Sequence, residues 1–150
     1  MFYNVLFAYK YYEGVRIMVI KAVDLFSGVG GLTYGLKQAG IQVVAGIDID
    51  SSCEFSYTYN NGCQFINKSI DDVSGDEIQE LLQGADIKLL VGCAPCQPFS
   101  SHQKNKKCRA VHKDWKLLYQ FARLVKEVRP DSFDGKRTRT RKRNRVFGFC

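Results

Sequence analysis

The chain has 150 residues, of which 45% are hydrophobic and 25% charged, and its formal net charge at pH 7 is +7. This composition excludes a disordered chain, and the length suits one domain. The sequence has neither an apolar run of membrane-spanning length nor a signal-peptide pattern, so we expect an intracellular, cytoplasmic protein that makes no use of a membrane. In that compartment the six cysteines are expected to be thiols, ligands or a nucleophile rather than disulfides.

The excess positive charge lies near the carboxyl end, in the run KRTRTRKRNR at residues 136–145. Seven of these ten residues are basic, and the rest of the chain has fifteen basic and fifteen acidic residues. The body is therefore formally neutral. Such a run is either a solvated end or a segment that binds phosphates, and charge alone favours neither.

The first half of the chain predicts two strands that alternate with helices. A strand over Ile17 to Phe26 is followed by a glycine turn and by a helix that ends near Gly40. A second strand over Val43 to Ile47 precedes a helix that begins at a cap on Ser51 or Ser52 and runs to about Asn60. Both strands are continuous apolar runs, which is typical of strands buried on both faces.

The second half continues the alternation. Phe65-Ile66 is a short third strand, Asp76 to Leu82 a helix, Asp86 to Val91 a fourth strand, and Lys113 to Val128 a long helix. The apolar face predicted for this last helix comprises Trp115, Leu118, Phe121, Ala122, Val125 and Val128. Alternating strands and helices predict an α/β fold with a parallel sheet covered by helices on both faces.

Two strand ends carry groups that indicate a ligand. The first strand runs into the glycine turn of DLFSGVGG, residues 24–31, where the backbone can approach a ligand and the next helix offers free N–H groups. A dinucleotide fingerprint would require glycine at position 33, where Thr33 stands. Asp48 ends the second strand, as do acids that bind ribose. Together, the glycine turn and Asp48 indicate a nucleoside cofactor such as S-adenosylmethionine. The alternative is that Asp48 and Asp50 only cap the next helix.

The loop GCAPCQPFS at residues 92–100 gives these patterns a family context. With DLFSGVGGL and GIDID, it resembles the motifs of the DNA (cytosine-5)-methyltransferases, in family order, over Lys21 to about Asp131. The resemblance implies a three-layer, Rossmann-like methyltransferase fold of which this chain holds an incomplete part. It further implies methyl transfer from S-adenosylmethionine to C5 of cytosine in double-stranded DNA, by a bacterial or phage-like enzyme of restriction–modification.

The resemblance also implies residue roles. Cys96 is the nucleophile that adds to C6 of a flipped cytosine, and Gln97 and Ser100 lie at the DNA. Ser69 stands where the family has an adenine-binding Asp, and Asp71 is the substitute that a register shift would supply. The residues implied at the cofactor are Phe26, Ser27, Gly28, Gly30, Gly31, Asp48, Ile49, Ser69, Ile70 and Pro95.

Two other roles for the cysteines stay open on spacing alone. Cys93 and Cys96 have the C-x-x-C spacing of thiol-redox proteins. With Cys108 and His112 they also form a zinc-ligand pattern. Neither alternative explains the glycine turn, so we expect no metal.

The chain also departs from the family pattern. It has no Glu-Asn-Val motif, whose glutamate engages the flipped cytosine in the family, and its last glutamate is Glu127. The tail resembles a later Gln-x-Arg-x-Arg motif, which would place Arg141, Arg143 and Arg145 at DNA. These departures suggest an inactive fragment or one piece of a split enzyme that a second polypeptide completes. We accordingly divide the chain into an unassigned extension (1–17, with Met18 as a candidate start), a partial catalytic domain (18–131) and a basic tail (132–150).

Overall fold

A single parallel sheet is the centre of the fold. The computed structural model describes residues 18–93 and 114–130. The four strands are β1 (Ile20–Leu25), β2 (Gln42–Asp48), β3 (Gln64–Asn67) and β4 (Ile87–Gly92). They lie in the order β3-β2-β1-β4, and every neighbouring pair is parallel. The predicted α/β class and parallel sheet are confirmed.

The helices are α1 (Gly31–Gln38), a 3-10 turn (Ser51–Cys53), α2 (Glu54–Asn61), α3 (Gly75–Leu81) and α4 (Asp114–Val128). Helices α1 and α2 contact each other, as do α3 and α4. Because right-handed crossovers lead from β1 to β2 to β3 and then back to β4, the first pair covers one face of the sheet and the second pair the other. The predicted three-layer arrangement follows.

Strand order creates a topological switch point. The chain leaves β1 toward β2 on one side, whereas β4 lies on the other side of β1. In open α/β sheets, ligands bind in the crevice at such a point, outside the carboxyl ends of the strands. The glycine turn after β1 and Cys93 after β4 lie at this crevice.

The main core lies between the sheet and the α3–α4 layer. Its strand residues include Val23, Leu25, Ile47 and Leu90, and its helix residues include Ile78, Leu82, Phe121, Leu124 and Val128. Alternate residues of β1 point to the opposite face, where Asp24 is buried and hydrogen bonded to Thr33 of α1. The two faces therefore differ in character: one is apolar, and the other contains a buried carboxyl group.

Two local predictions are wrong in detail. Helix α3 begins earlier than Asp76, because Ser74 and Glu77 form a capping box. The turn before α2 is capped by Asp50, whose side chain accepts from the backbone N–H of Ser52, rather than by a serine. Asp50 thus has the capping role that the alternative interpretation of this strand end gave it.

The buried face of α4 also differs from the predicted apolar face. The buried residues are Phe121, Leu124 and Val128, at spacings of three and four, while Ala122 is exposed. Leu124 fits the same helical period as Phe121, and the small Ala122 was wrongly given a core position. Within residues 18–93 and 114–130, no helix combines the length and apolar character needed to cross a membrane.

Candidate cofactor-binding and active site

A cleft of about 230 Å³ opens at the carboxyl ends of all four strands. Its lining includes five residues predicted to contact a cofactor: Phe26, Asp48, Ile49, Ser69 and Ile70. Ile47, Lys68, Cys93 and Leu117 complete it. Residues from four strand ends, far apart in the chain, thus meet in one cavity at the switch point.

The glycine turn has backbone geometry that favours glycine. Gly28 has φ 50° and Gly30 has φ 90°, both in the left-handed region. A Cβ at Gly28 would meet nothing within 4 Å, which leaves open space beside the turn. A Cβ at Gly30 would instead lie 2.2 Å from Nδ2 of Asn61. Gly28 therefore leaves room for a ligand, whereas Gly30 is required for packing against α2.

Phe26 also adopts a left-handed backbone conformation, with φ 58°. Such a conformation is uncommon for a bulky residue and costs of order 1 kcal/mol or more. The side chain is half-buried and lines the cleft. Residues with strained backbone conformations are concentrated at binding sites. No local sequence pattern predicted this conformation of Phe26.

Asp48 links the second strand to the glycine turn. Its Oδ2 accepts a hydrogen bond of 2.8 Å from the backbone N–H of Gly28, and its Oδ1 accepts one of 2.9 Å from the N–H of Asp50. A carboxylate has about four acceptor positions, so each oxygen can still accept a hydroxyl from a ligand. Asp48 is partly exposed at the cleft.

Ser69 and its neighbours form the wall that follows β3. The Oγ of Ser69 accepts a 3.4 Å hydrogen bond from the backbone N–H of Asp71, and its carbonyl accepts one of 2.9 Å from Asp72. Ser69 lines the cleft, whereas Asp71 is exposed and is absent from the lining. This geometry favours Ser69 over Asp71 as the residue that faces a ligand.

Lys68 was not predicted in the cleft. Its Nζ contacts both carboxylate oxygens of Glu77, at 2.9 and 2.8 Å, and these hydrogen bonds hold the pKa of Glu77 below its usual range. Leu117 of α4 was missed as well, because its sequence position on an amphipathic helix gives no sign that it reaches a strand end.

The end of β4 lies directly against the end of β1. Gly92 pairs with Leu25, and a Cβ at Gly92 would lie 2.4 Å from the backbone oxygen of Leu25. Only glycine permits this approach without a shift of backbone. The next residue, Cys93, is exposed and lines the cleft, so the chain leaves the sheet beside Phe26.

A buried network of hydrogen-bonded side chains lies beneath the glycine turn. The hydroxyl of Thr33 donates to Oδ2 of Asp24 at 2.7 Å and lies 3.0 Å from the hydroxyl of Tyr57. Burial is the main cause that raises the pKa of Asp24 to about 6; hydrogen bonds from Thr33 lower it, and the charge of Asp48 raises it. Burial also raises the pKa of Tyr57 to about 12.

Some buried polar atoms of this network and of nearby residues have no hydrogen-bond partner. In the part of the molecule that the structure describes, Oδ1 of Asp24, Oγ of Ser27 and Oδ1 of Asn61 are buried without a hydrogen-bond partner. Buried polar groups are usually satisfied. Asp24 belongs to β1, Ser27 to the glycine turn and Asn61 to α2, and none of the three lines the cleft.

Several predicted residues lie outside the described ranges. They are the nucleophile Cys96, its neighbours Pro95, Gln97 and Ser100, and the tail arginines Arg141, Arg143 and Arg145. Cys108 and His112 of the zinc alternative also lie there. For all of these, the sequence-based interpretation stays a prediction.

A second hollow lies on the outer side of α2. It has a volume of about 540 Å³ and is lined by polar and aromatic residues, including Phe55 and Tyr59. These two rings stack with centroids 5.7 Å apart and are 76% and 79% exposed. None of the predicted cofactor residues lines this hollow.

Comparison with known proteins identifies the family of the chain. The model of the C-5 cytosine-specific DNA methylase family matches residues 20–133. The Type II methylase M.HgiDII of Herpetosiphon aurantiacus is 52% identical over 114 residues, which are 76% of this chain and 31% of that protein. The Type II methyltransferase M.XorII of Xanthomonas oryzae is 37% identical over 74% of this chain and 26% of that protein. The chain thus spans about a third or less of these two relatives.

Another relative is matched over most of its length. The Type II methyltransferase M.HgiGI of Herpetosiphon aurantiacus is 32% identical over 113 residues, which cover 74% of this chain and 84% of that protein.

Solved structures show the same fold. A protein assigned as a DNA modification methyltransferase encoded within an E. coli prophage superimposes with a TM-score of 0.58 at 27% identity, over 74% of this chain and 30% of that one. The methyltransferase EhMeth of Entamoeba histolytica superimposes with a TM-score of 0.57 at 21% identity, over 71% and 33%. The family match covers most of the chain, and the chain therefore belongs to the C-5 cytosine-specific DNA methylases.

Proposed function

We propose that this chain binds S-adenosylmethionine in the cleft at the carboxyl ends of the strands. We propose further that it forms the part of an enzyme that carries the nucleophile for methylation of C5 of cytosine in DNA. The observation that carries the proposal is the convergence of Phe26, Asp48, Ile49, Ser69 and Ile70 on one cleft that Cys93 also lines. The names of the relatives, Type II methylases and methyltransferases, support a role in restriction–modification.

The residues of the cleft fit the nucleoside part of this cofactor. Asp48 has acceptor capacity beyond its two backbone hydrogen bonds, which suits a pair of ribose hydroxyls. Phe26, Ile49 and Ile70 supply apolar surface for a flat base, and Ser69 supplies a hydroxyl at its edge. The open space beside Gly28, together with the N–H groups of Gly31 and Leu32 at the start of α1, suits the polar remainder.

In the proposed reaction the chain supplies the nucleophile. The thiolate of Cys96 forms a bond to C6 of a cytosine flipped out of double-stranded DNA, which makes C5 electron-rich. The cofactor, when bound, supplies an electrophilic methyl group. With the methyl group on C5 and S-adenosylhomocysteine as the leaving group, loss of the C5 proton to solvent would re-form the C5–C6 double bond and release the thiolate of Cys96 from C6 with the bonding electrons. Pro95 fixes φ next to the nucleophile, while Gln97 and Ser100 contact the DNA.

Catalysis also requires acid assistance to the cytosine. The 150 residues contain no Glu-Asn-Val motif, and general acid assistance is typically worth about 10²–10⁴-fold in rate. We propose that this group comes from polypeptide outside these residues, in the same protein or in a second one. The basic run at 136–145 then contributes phosphate contacts that do not depend on base sequence.

The proposal is tested by two measurements on the same protein. Calorimetry should detect binding of S-adenosylhomocysteine, and DNA that contains 5-fluorocytosine should trap a covalent adduct in the presence of S-adenosylmethionine when the polypeptide that supplies the acid is also present. The Cys96→Ser variant is the matched control, because it should bind S-adenosylhomocysteine like wild type but form no adduct. Failure to bind S-adenosylhomocysteine would refute the cofactor site, and an adduct that survives in Cys96→Ser would refute the nucleophile.

A further inference from the structure

We propose that Arg123 of α4 is a positioning residue that sets the distance between two walls of the cleft; this inference rests on the proposed cofactor site. One wall is the segment after β3, which includes Ser69 and Ile70. Leu117, nearly two turns before Arg123 on α4, also lines the cleft. Arg123 does not line the cleft, and its role follows from its hydrogen bonds.

All three nitrogens of the Arg123 guanidinium donate to an acceptor. Nη2 donates to the carbonyl oxygens of Ile70 and Val73, at 3.1 and 2.9 Å. Nε donates to Oε1 of Gln120 at 2.6 Å, and Nη1 donates to both carboxylate oxygens of Glu127, at 3.1 and 3.0 Å. The donors of an arginine form a rigid planar fork, so this full set fixes the orientation of the group.

Glu127 attaches the same segment at a second point. Its Oε2 accepts a 3.0 Å hydrogen bond from the backbone N–H of Gly75. A Cβ at Gly75 would lie 2.4 Å from Cβ of Glu127, so the two backbones are in close contact there. The segment from Ile70 to Gly75 is thereby held on α4 at three backbone groups, and its side chains Ile70 and Val73 are buried.

The cleft depends on this attachment. Ile70 both lines the cleft and has its carbonyl held by Arg123, so a shift of the segment moves a cleft wall directly. Leu117 is on the helix that provides the attachment. We infer that Arg123 holds the walls of Ile70 and Leu117 at the separation that a nucleoside requires, whereas an unattached segment would sample wider separations.

The test compares loss of affinity with loss of stability. Arg123→Ala and Arg123→Lys are measured for S-adenosylhomocysteine affinity by calorimetry and for urea unfolding. Lysine offers three N–H donors for five acceptor atoms and lacks the planar guanidinium, so Arg123→Lys should not restore the affinity for S-adenosylhomocysteine. Both variants should weaken binding about tenfold or more, as expected when charge-assisted hydrogen bonds that shape a site are lost.

Val43→Ala is the control for a stability effect alone. Val43 is buried at the amino end of β2, away from the cleft. This variant should unfold at lower urea but bind within about twofold of wild type. Should Arg123→Ala fail to fold, Arg123→Lys provides the comparison. Wild-type affinity in Arg123→Lys, or an equal loss in Val43→Ala, would overturn the inference; a wild type that does not bind would refute the cofactor site itself.

Discussion

Oδ2 of Asp48 accepts a 2.8 Å hydrogen bond from the backbone N–H of Gly28. This contact joins the end of the second strand to the turn that follows the first, across 20 residues of sequence. Because the carboxylate also faces the cleft, one side chain both shapes the glycine turn and presents acceptors to a ligand.

We predict that Asp48→Ala weakens the binding of S-adenosylhomocysteine by about ten- to a hundred-fold, since a hydrogen bond to a charged group is worth roughly 1.5–3 kcal/mol. Calorimetry measures the change. Asp72→Ala is the matched control, because Asp72 is exposed and does not line the cleft. Equal affinities for Asp48→Ala and the control would remove Asp48 from the site.

A second prediction concerns Asp24 and pH. The pKa of Asp24 is raised from 3.8 to about 6, so the folded state binds this proton more tightly than the unfolded state. The contribution of Asp24 to stability is therefore greatest below pH 4 and falls as pH rises through the window from 4 to 6. The loss is about 2–3 kcal/mol.

Urea unfolding at pH 4.5 and pH 7 tests this prediction in wild type and Asp24→Asn. Other carboxyl groups act in the opposite direction, since the pKa of Glu77 is lowered, and the difference between the two proteins isolates Asp24. Wild type should lose more stability than the variant between pH 4.5 and 7. An identical pH dependence would show that Asp24 has an ordinary pKa.

The third prediction concerns Gly92. Alanine there would place Cβ 2.4 Å from the backbone oxygen of Leu25, so the end of β4 must move. We expect a loss of about 1–3 kcal/mol in the free energy of unfolding, as for overpacked sites, together with weaker cofactor binding. Gly35→Ala is the control: its Cβ would meet nothing within 4 Å, and alanine within α1 should stabilise by about 0.5–1 kcal/mol. Equal stability of the two variants would contradict the close approach of β4 to β1.

The fourth prediction concerns the basic tail. Replacing Arg141, Arg143 and Arg145 with alanine removes three of its seven basic residues. If each contacts one phosphate, the slope of log affinity against log salt should fall in magnitude by about 2.7. Binding of duplex DNA at several salt concentrations provides the slopes, with Lys21→Ala, Lys37→Ala and Lys126→Ala combined as a charge-matched control. A slope that falls as much in the control would show that the body of the protein binds DNA.

Local patterns were sufficient to predict the sheet and much of the cleft. Apolar residues alternating with helix patterns predicted the four strands, and in a parallel sheet Asp48 and the glycine turn must come together at one edge. The capping box of Ser74 and Glu77 was also visible in the sequence, as a serine three residues before a glutamate, but was overlooked. The start of α3 was therefore predictable in principle.

Other features depend on contacts between distant segments. The left-handed backbone of Phe26, the place of Leu117 in the cleft and the five hydrogen bonds of Arg123 are set by tertiary packing. Arg123 and Ile70 are 53 positions apart, and no periodicity within α4 distinguishes Arg123 from a solvated charge. The buried face of α4 shows the same limit, because helical spacing alone allowed Ala122 in place of Leu124.

Mapping of backbone amide shifts on addition of S-adenosylhomocysteine tests the central claim most directly, because it distinguishes the cleft from the hollow on α2. The account predicts that the largest changes fall on Gly28, Asp48, Ser69 and Ile70, around the cleft at the carboxyl ends of the strands. Phe55 and Tyr59, in the hollow on α2, should change little. Changes concentrated at Phe55 and Tyr59, or no changes at saturating ligand, would contradict the assignment of the cleft as the cofactor site.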